Sequence, residues 1–181
     1  NGHGWIFASE TCALDHLGAE YVREVQPGEV VRADEDGLTS SFPLGEMLTM
    51  VETQMAEQTT EQPQALCLFE FIYFARPDSR MGGQLLHPVR MRMGARLSEE
   101  HPVEADVVIG VPDSATAAAI GYAQASGIPY AEGLMKNRYV GRTFIQPDQR
   151  LRDRGVQLKF NPLREVLEGK RVIVVDDSIV R

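Results

Sequence analysis

With 181 residues, 43% of them hydrophobic and 24% charged, the chain is long enough to bury a sizeable core and short for two complete domains. Its net charge of −8 argues against nucleic acid as principal partner, and no apolar run approaches the ~18 residues of a membrane span. No charged-then-apolar leader opens the chain, and its two cysteines, Cys12 and Cys67, make no disulfide framework, which points to a reducing, cytoplasmic setting.

Residues 1–42 alternate short apolar runs (Trp5–Ala8, Ala19–Val22, Gly28–Val31) with turn residues, the spacing of an antiparallel β region. Ser9 is placed to cap a short helix through Asp15, and Cys12 reads as a small buried hydrophobe. Residues 43–66 are polar. Within them Met47, Met50, Val51 and Met55 have helical spacing over 45–58, and 59–64 reads as a loop, so a domain boundary falls here.

The dense apolar run Leu66–Phe74 reads as a strand, ended by the turn Ala75-Arg-Pro-Asp-Ser79. Val89–Glu100 has helical spacing and is closed by His101-Pro102. Val107–Val111 predicts a buried strand, Pro112-Asp-Ser114 a tight turn, and the Ala-rich stretch after it a helix that Gly127 stops. Such a turn aims backbone N–H groups and a helix start at the sheet's carboxyl edge, where phosphates bind. Every βα unit has one, so the signal is weak by itself.

Ile128–Tyr130 is a candidate third strand, and Asn161–Gly169 contains a small helix. Between them, Lys136 to Lys159 carries seven Lys/Arg against Asp148 and Asp153, a local +5 that leaves −13 for the rest. That suits an anionic small ligand, or only a solvated face. Val172–Val175 reads as a strand buried on both faces of a parallel sheet. Asp176 and Asp177 follow at once, at the strand end where α/β ligands sit. Adjacent carboxylates there could grip a sugar diol, hold hydrated Mg²⁺, or cap the next helix. Strands alternating with helices imply a parallel sheet with flanking helices.

At Tyr73–Ser79, Gly110–Ser114, Lys136–Ile145 and Val174–Arg181 the chain resembles the amidophosphoribosyltransferases, also called glutamine phosphoribosylpyrophosphate amidotransferases. The resemblance runs from about Ile6 to Arg181 and is weakest through the linker. It implies an α/β fold: a type I phosphoribosyltransferase-like parallel sheet with flanking helices, preceded by the β-rich tail of an Ntn-type glutaminase domain. Residues 1–66 would be the C-terminal part of the glutaminase domain with its linker, and 67–181 the N-terminal part of the transferase domain. The implied activity is transfer of glutamine-derived ammonia to phosphoribosyl pyrophosphate (PRPP), opening purine synthesis, in a homo-oligomer inhibited by purine nucleotides and using neither nucleic acid nor membrane.

By position, the resemblance assigns Ser114, Asp176 and Asp177 to the Mg²⁺–PRPP site and Pro112, Asp113 and Ser114 to the pyrophosphate turn. It assigns Lys136–Ile145 to a loop over PRPP, with Lys136, Arg138 and Arg142 meeting the anion and Tyr139, Phe144 and Ile145 forming a dry wall. Cys67 stands where some members ligate a [4Fe–4S] cluster, its other three cysteines lying far downstream. The family's N-terminal cysteine nucleophile has no counterpart here, and both ends of the chain read as cut from a longer protein. Two other readings share the acidic pair: a different type I phosphoribosyltransferase, and a non-catalytic PRPP-binding regulator. The regulator should be basic, whereas this chain is acidic outside the loop.

Overall fold

A computed structural model of the chain describes residues 4–43, 65–139 and 155–179. The expected helix over 45–58, the loop at 59–64 and residues 140–145 of the basic loop lie outside them. The structure divides into two compact units, Asn1–Cys67 and Leu68–Arg181.

In the first unit a short helix, α1 (Thr11–His16), precedes an antiparallel hairpin of β1 (Val30–Asp34) and β2 (Gly37–Ser41). Cys12 is buried, as expected. Asp34 pairs with Gly37 across a two-residue turn, and Gly37 has φ +125°, a conformation that favours glycine. Trp5–Ala8 and Ala19–Val22 form no strand, and Glu10 rather than Ser9 occupies the N-cap position of α1. Alternation by itself makes no strand without a neighbour to pair with. The segment before the hairpin is fixed differently. Arg23 grips Glu29 through two bonds of 2.8 and 2.6 Å and also reaches Ser40 Oγ at 2.9 Å, while the Gln26 amide donates to Glu29 at 2.7 Å. The Arg23 bond foremost, then Ser40 and the Gln26 amide, lower the Glu29 carboxyl to about 2.

In the second unit the expected strand over 66–74 is a helical turn: Leu68 and Phe69 lead into a π-helical Glu70–Phe74. The run has no strict alternation, and a short apolar stretch fits a buried helix as well as a strand. Its carbonyls decide the matter. Buried Arg90 donates to Phe71 O at 2.8 Å, Ala75 O at 2.6 Å and Glu70 O at 3.3 Å. A short hairpin, β3 (Arg80–Met81) and β4 (Gln84–Leu85), leads into α2 (Leu86–Glu100), which starts three residues before the expected Val89.

The core follows. Strand β5 (Val107–Gly110) is buried throughout and leads to α3 (Thr116–Ser126), which ends at left-handed Gly127 (φ +73°) as expected. Strand β8 (Val172–Val175) pairs parallel to β5 with Gly110 opposite Val175. On the other side of β5, Ile128–Tyr130 is no full strand: Tyr130 makes a single parallel bridge to Val108. Val108, Ala119, Tyr122, Ala123 and Val175 form the buried cluster. Helices α2 and α3 pack closely because each offers glycine at the crossing. A Cβ on Gly94 would lie 1.8 Å from Ala118 O, and one on Gly121 1.9 Å from Met91 O.

β8 departs from expectation. Val172 and Ile173 are half-buried, Val174 is 57% exposed, and only Val175 is buried. Side chains alternate between the faces of a strand, so Val175 turns into the core while Val174 on the opposite face is exposed; among the described residues the one sheet neighbour of this strand is β5. At the amino ends of the pair, Arg171 chelates Asp106 at 2.8 and 3.0 Å through its amide and guanidinium, which holds the Asp106 carboxyl below its usual range.

Candidate anion and metal site at the carboxyl edge of the parallel strands

Strands β5 and β8 run in register to their ends, and the Val111 amide still donates to Val175 O at 2.9 Å. The turn Pro112–Ser114 and the pair Asp176–Asp177 therefore emerge side by side from one sheet edge, where open α/β sheets receive ligands. The turn is short because it leads directly into α3: the Ala115 amide reaches back to Val111 O at 3.3 Å and that of Thr116 to Asp113 O at 3.4 Å. The Pro112–Asp113 peptide is cis, a feature no sequence pattern announces.

Asp176 Oδ1 accepts from the Asp177 amide at 2.8 Å, and Asp177 Oδ1 accepts from Ser178 Oγ at 2.6 Å. Among the described residues neither aspartate has a cationic partner within ion-pair distance. Partial desolvation raises the Asp176 carboxyl above its ordinary range, and the Asp177 charge adds to this against the donating Asp177 amide. Ser114, half-buried, supplies a hydroxyl on the adjacent turn. Two carboxylates and a hydroxyl form an all-oxygen donor set suited to a hard divalent cation. No group of three His, Cys, Asp or Glu clusters among the described residues, so such a cation would need ligands from its substrate as well.

The basic loop begins on the same unit. β6 (Leu134–Lys136) pairs antiparallel with β7 (Phe160–Pro162), Lys136 opposite Phe160. A short helix, α4 (Arg164–Leu167), follows and leads towards β8. Asn137 ties the ends of the intervening segment together: its amide donates to Lys159 O at 2.7 Å and its side chain to Leu158 O at 3.3 Å. Its Oδ1 also accepts from the Tyr139 amide at 3.0 Å, the local bonding that makes Asn a turn residue. Lys136 Nζ reaches across to Asp113 Oδ2 at 2.5 Å, joining the loop base to the turn. Sequence spacing misses this pair, whose members stand 23 positions apart. Arg138 and Tyr139 are exposed, Tyr139 fully so, and the structure brings neither to the acidic pair. Arg142 lies outside the described residues. Cys67 is exposed and is the last residue of the first unit.

No helix among the described residues is long and apolar enough to cross a membrane. No protein-family model matches the chain. Known proteins do. An amidophosphoribosyltransferase of Synechocystis is 55% identical over 177 residues, covering 98% of this chain and 33% of that protein. A solved structure described as the allosteric regulatory enzyme of purine biosynthesis superposes with a TM-score of 0.77 at 51% identity, over 96% of this chain and 34% of that one. The glutamine PRPP amidotransferase from B. subtilis, solved with ADP and GMP, gives a TM-score of 0.74 at 51% identity, over 95% of this chain and 34% of that one. The chain thus spans about a third of the length of the relatives it matches. Over that third, it is similar in sequence and in fold to the amidophosphoribosyltransferases.

Proposed function

We propose that the intact protein transfers glutamine-derived ammonia to PRPP, yielding 5-phosphoribosylamine, glutamate and pyrophosphate, the first committed step of de novo purine synthesis. The observation that carries this is the single sheet edge shared by the Pro112–Ser114 turn and Asp176–Asp177, in a chain half identical to enzymes of that name. Residues 1–66 are read as the end of the glutaminase domain and 67–181 as the start of the phosphoribosyltransferase domain, in a cytoplasmic homo-oligomer. Inhibition by purine nucleotides belongs to the same reading; the B. subtilis relative was solved with ADP and GMP.

In this reading Asp176, Asp177 and Ser114 hold Mg²⁺, which when bound would neutralise charge on PRPP oxygens. The chain's own groups do the positioning. The turn amides and the start of α3 face the diphosphate, and Lys136, Arg138 and Arg142 supply positive charge to it. Ammonia attacks ribose C1 as the bond to the diphosphate oxygen breaks, and pyrophosphate leaves with the electron pair. Water must be kept away, a role read for Tyr139, Phe144 and Ile145. Cys67 is proposed as one ligand of a [4Fe–4S] cluster. The chain has only one other cysteine, buried Cys12, so its own residues do not complete such a site and no step is routed through it.

The test uses the intact protein with Mg²⁺, glutamine and PRPP, measuring glutamate and pyrophosphate release. Asp176→Asn and Asp177→Asn should each raise the transfer barrier by roughly 2–4 kcal/mol while glutaminase chemistry stays measurable. Transfer within twofold of the parent in both variants would refute the assignment. Iron content in anaerobically purified protein, with and without Cys67→Ser, decides the cluster.

A further inference from the structure

The resemblance assigns Asp113 to ligand binding, yet the structure gives its carboxylate a different partner. Asp113 Oδ2 holds Lys136 Nζ at 2.5 Å, with the lysine side chain 33% exposed and the aspartate 78% exposed. The pair spans two elements. Asp113 sits on the turn after β5, and Lys136 ends β6 at the base of the basic loop. An anion seated on that turn would meet a carboxylate that repels it and a lysine already engaged.

Charge at this edge sharpens the conflict. Asp113, Asp176 and Asp177 contribute −3 and Lys136 +1, a sum of −2 that one divalent cation brings to zero. A diphosphate carries more negative charge than that balance can absorb, and it gains the charge of Lys136 only by drawing it off Asp113. The contact is exposed enough to exchange: pairs of this kind are worth no more than about a fivefold change in an equilibrium. A competitor of that size tunes affinity without abolishing it.

We propose that Asp113 is an internal counter-ion, competing with the phosphoanion for Lys136, and that it loosens the hold of this edge on diphosphate instead of contacting the ligand. It is a positioning residue, acting through the lysine. Its consequence is for product: an anion that must displace a carboxylate to gain its lysine is also released more readily when the carboxylate returns. The proposal rests on the transferase reading, which places diphosphate at this turn.

The experiment is calorimetric titration of the intact protein with inorganic diphosphate in the presence of Mg²⁺. Asp113→Asn should tighten binding about two- to fivefold, and Asp113→Ser, also uncharged, should move it the same way. Lys136→Ala should weaken binding. Adding Asp113→Asn to Lys136→Ala should change nothing further, because the aspartate acts through the lysine. Weaker or unchanged binding in both Asp113 variants would overturn the proposal. So would equal tightening with and without Lys136, which would make Asp113 a simple repelling charge. A parent protein that binds no diphosphate with Mg²⁺ would overturn the transferase reading itself and the proposal with it; parental binding without the predicted shifts overturns the proposal alone.

Discussion

Gly110 and Val175 are register partners on two parallel strands, and neither is followed by a residue that turns back into the sheet. What comes after each is therefore delivered to one edge: a turn with its amides on one side, two carboxylates on the other. Glycine at position 110 has a second consequence. A Cβ there would meet Ala119 Cβ at 3.0 Å and Ala115 O at 3.1 Å, so its absence lets α3 start close beneath the turn.

The helix crossing should tolerate no added methyl group. At Gly121 the nearest obstacle is the Met91 carbonyl, and at Gly94 the Ala118 carbonyl, both backbone atoms that cannot rotate away. Gly121→Ala and Gly94→Ala should each destabilise the second unit by about 2 kcal/mol or more, since relief requires the helices to separate. Urea denaturation of the purified variants measures this; midpoints matching the parent would mean that the helices cross further apart.

Arg90 should matter more for its donors than for its charge. Replacing it with Met keeps much of the packing but strips partners from the carbonyls of Glu70, Phe71 and Ala75. A loss of roughly 2–4 kcal/mol is expected, with Arg90→Lys recovering only part because an ammonium cannot present the same planar fork. Circular dichroism during denaturation gives the size; full rescue by lysine would contradict the geometric account.

Glu29 makes the hairpin unit sensitive to strong acid. Its carboxyl falls from an ordinary 4.5 to about 2, so the folded state favours the charged form. The stabilisation is fully present above about pH 4.5 and disappears as pH falls towards 2. Comparing the parent with Glu29→Gln across that window, the stability gap should be widest at the upper end and close towards the lower. A gap that stayed constant with pH would mean that Glu29 is not held charged by Arg23.

The two cysteines should differ sharply towards a thiol reagent under native conditions. In protein carrying no iron, Cys67 is exposed and should be labelled quickly, whereas Cys12, 5% exposed, should react only after unfolding. Peptide mass spectrometry after a short exposure distinguishes them, and early label on Cys12 would show that α1 opens readily.

Several elements were determined by the sequence alone. The β-branched runs Val107–Ile109 and Val172–Val175 read as strands of a parallel sheet, and Gly127 ends an alanine-rich helix where a left-handed residue is needed. Because strand ends carry ligands in such sheets, the sequence alone points to Asp176, Asp177 and the turn Pro112–Ser114 as candidates. These are local properties, set by side-chain shape and period within a few residues. Only the tertiary structure decided the rest. Whether 66–74 is strand or helix depends on Arg90, 19 positions beyond Phe71, which satisfies carbonyls that a strand would have paired elsewhere. Whether Val174 is covered depends on the neighbours β8 finds, and Asp113 meets Lys136 only because β5 and β6 end near one another. A backbone carbonyl, an apolar face or a charge takes whatever partner the fold brings to it, and a sequence records the group without recording the partner.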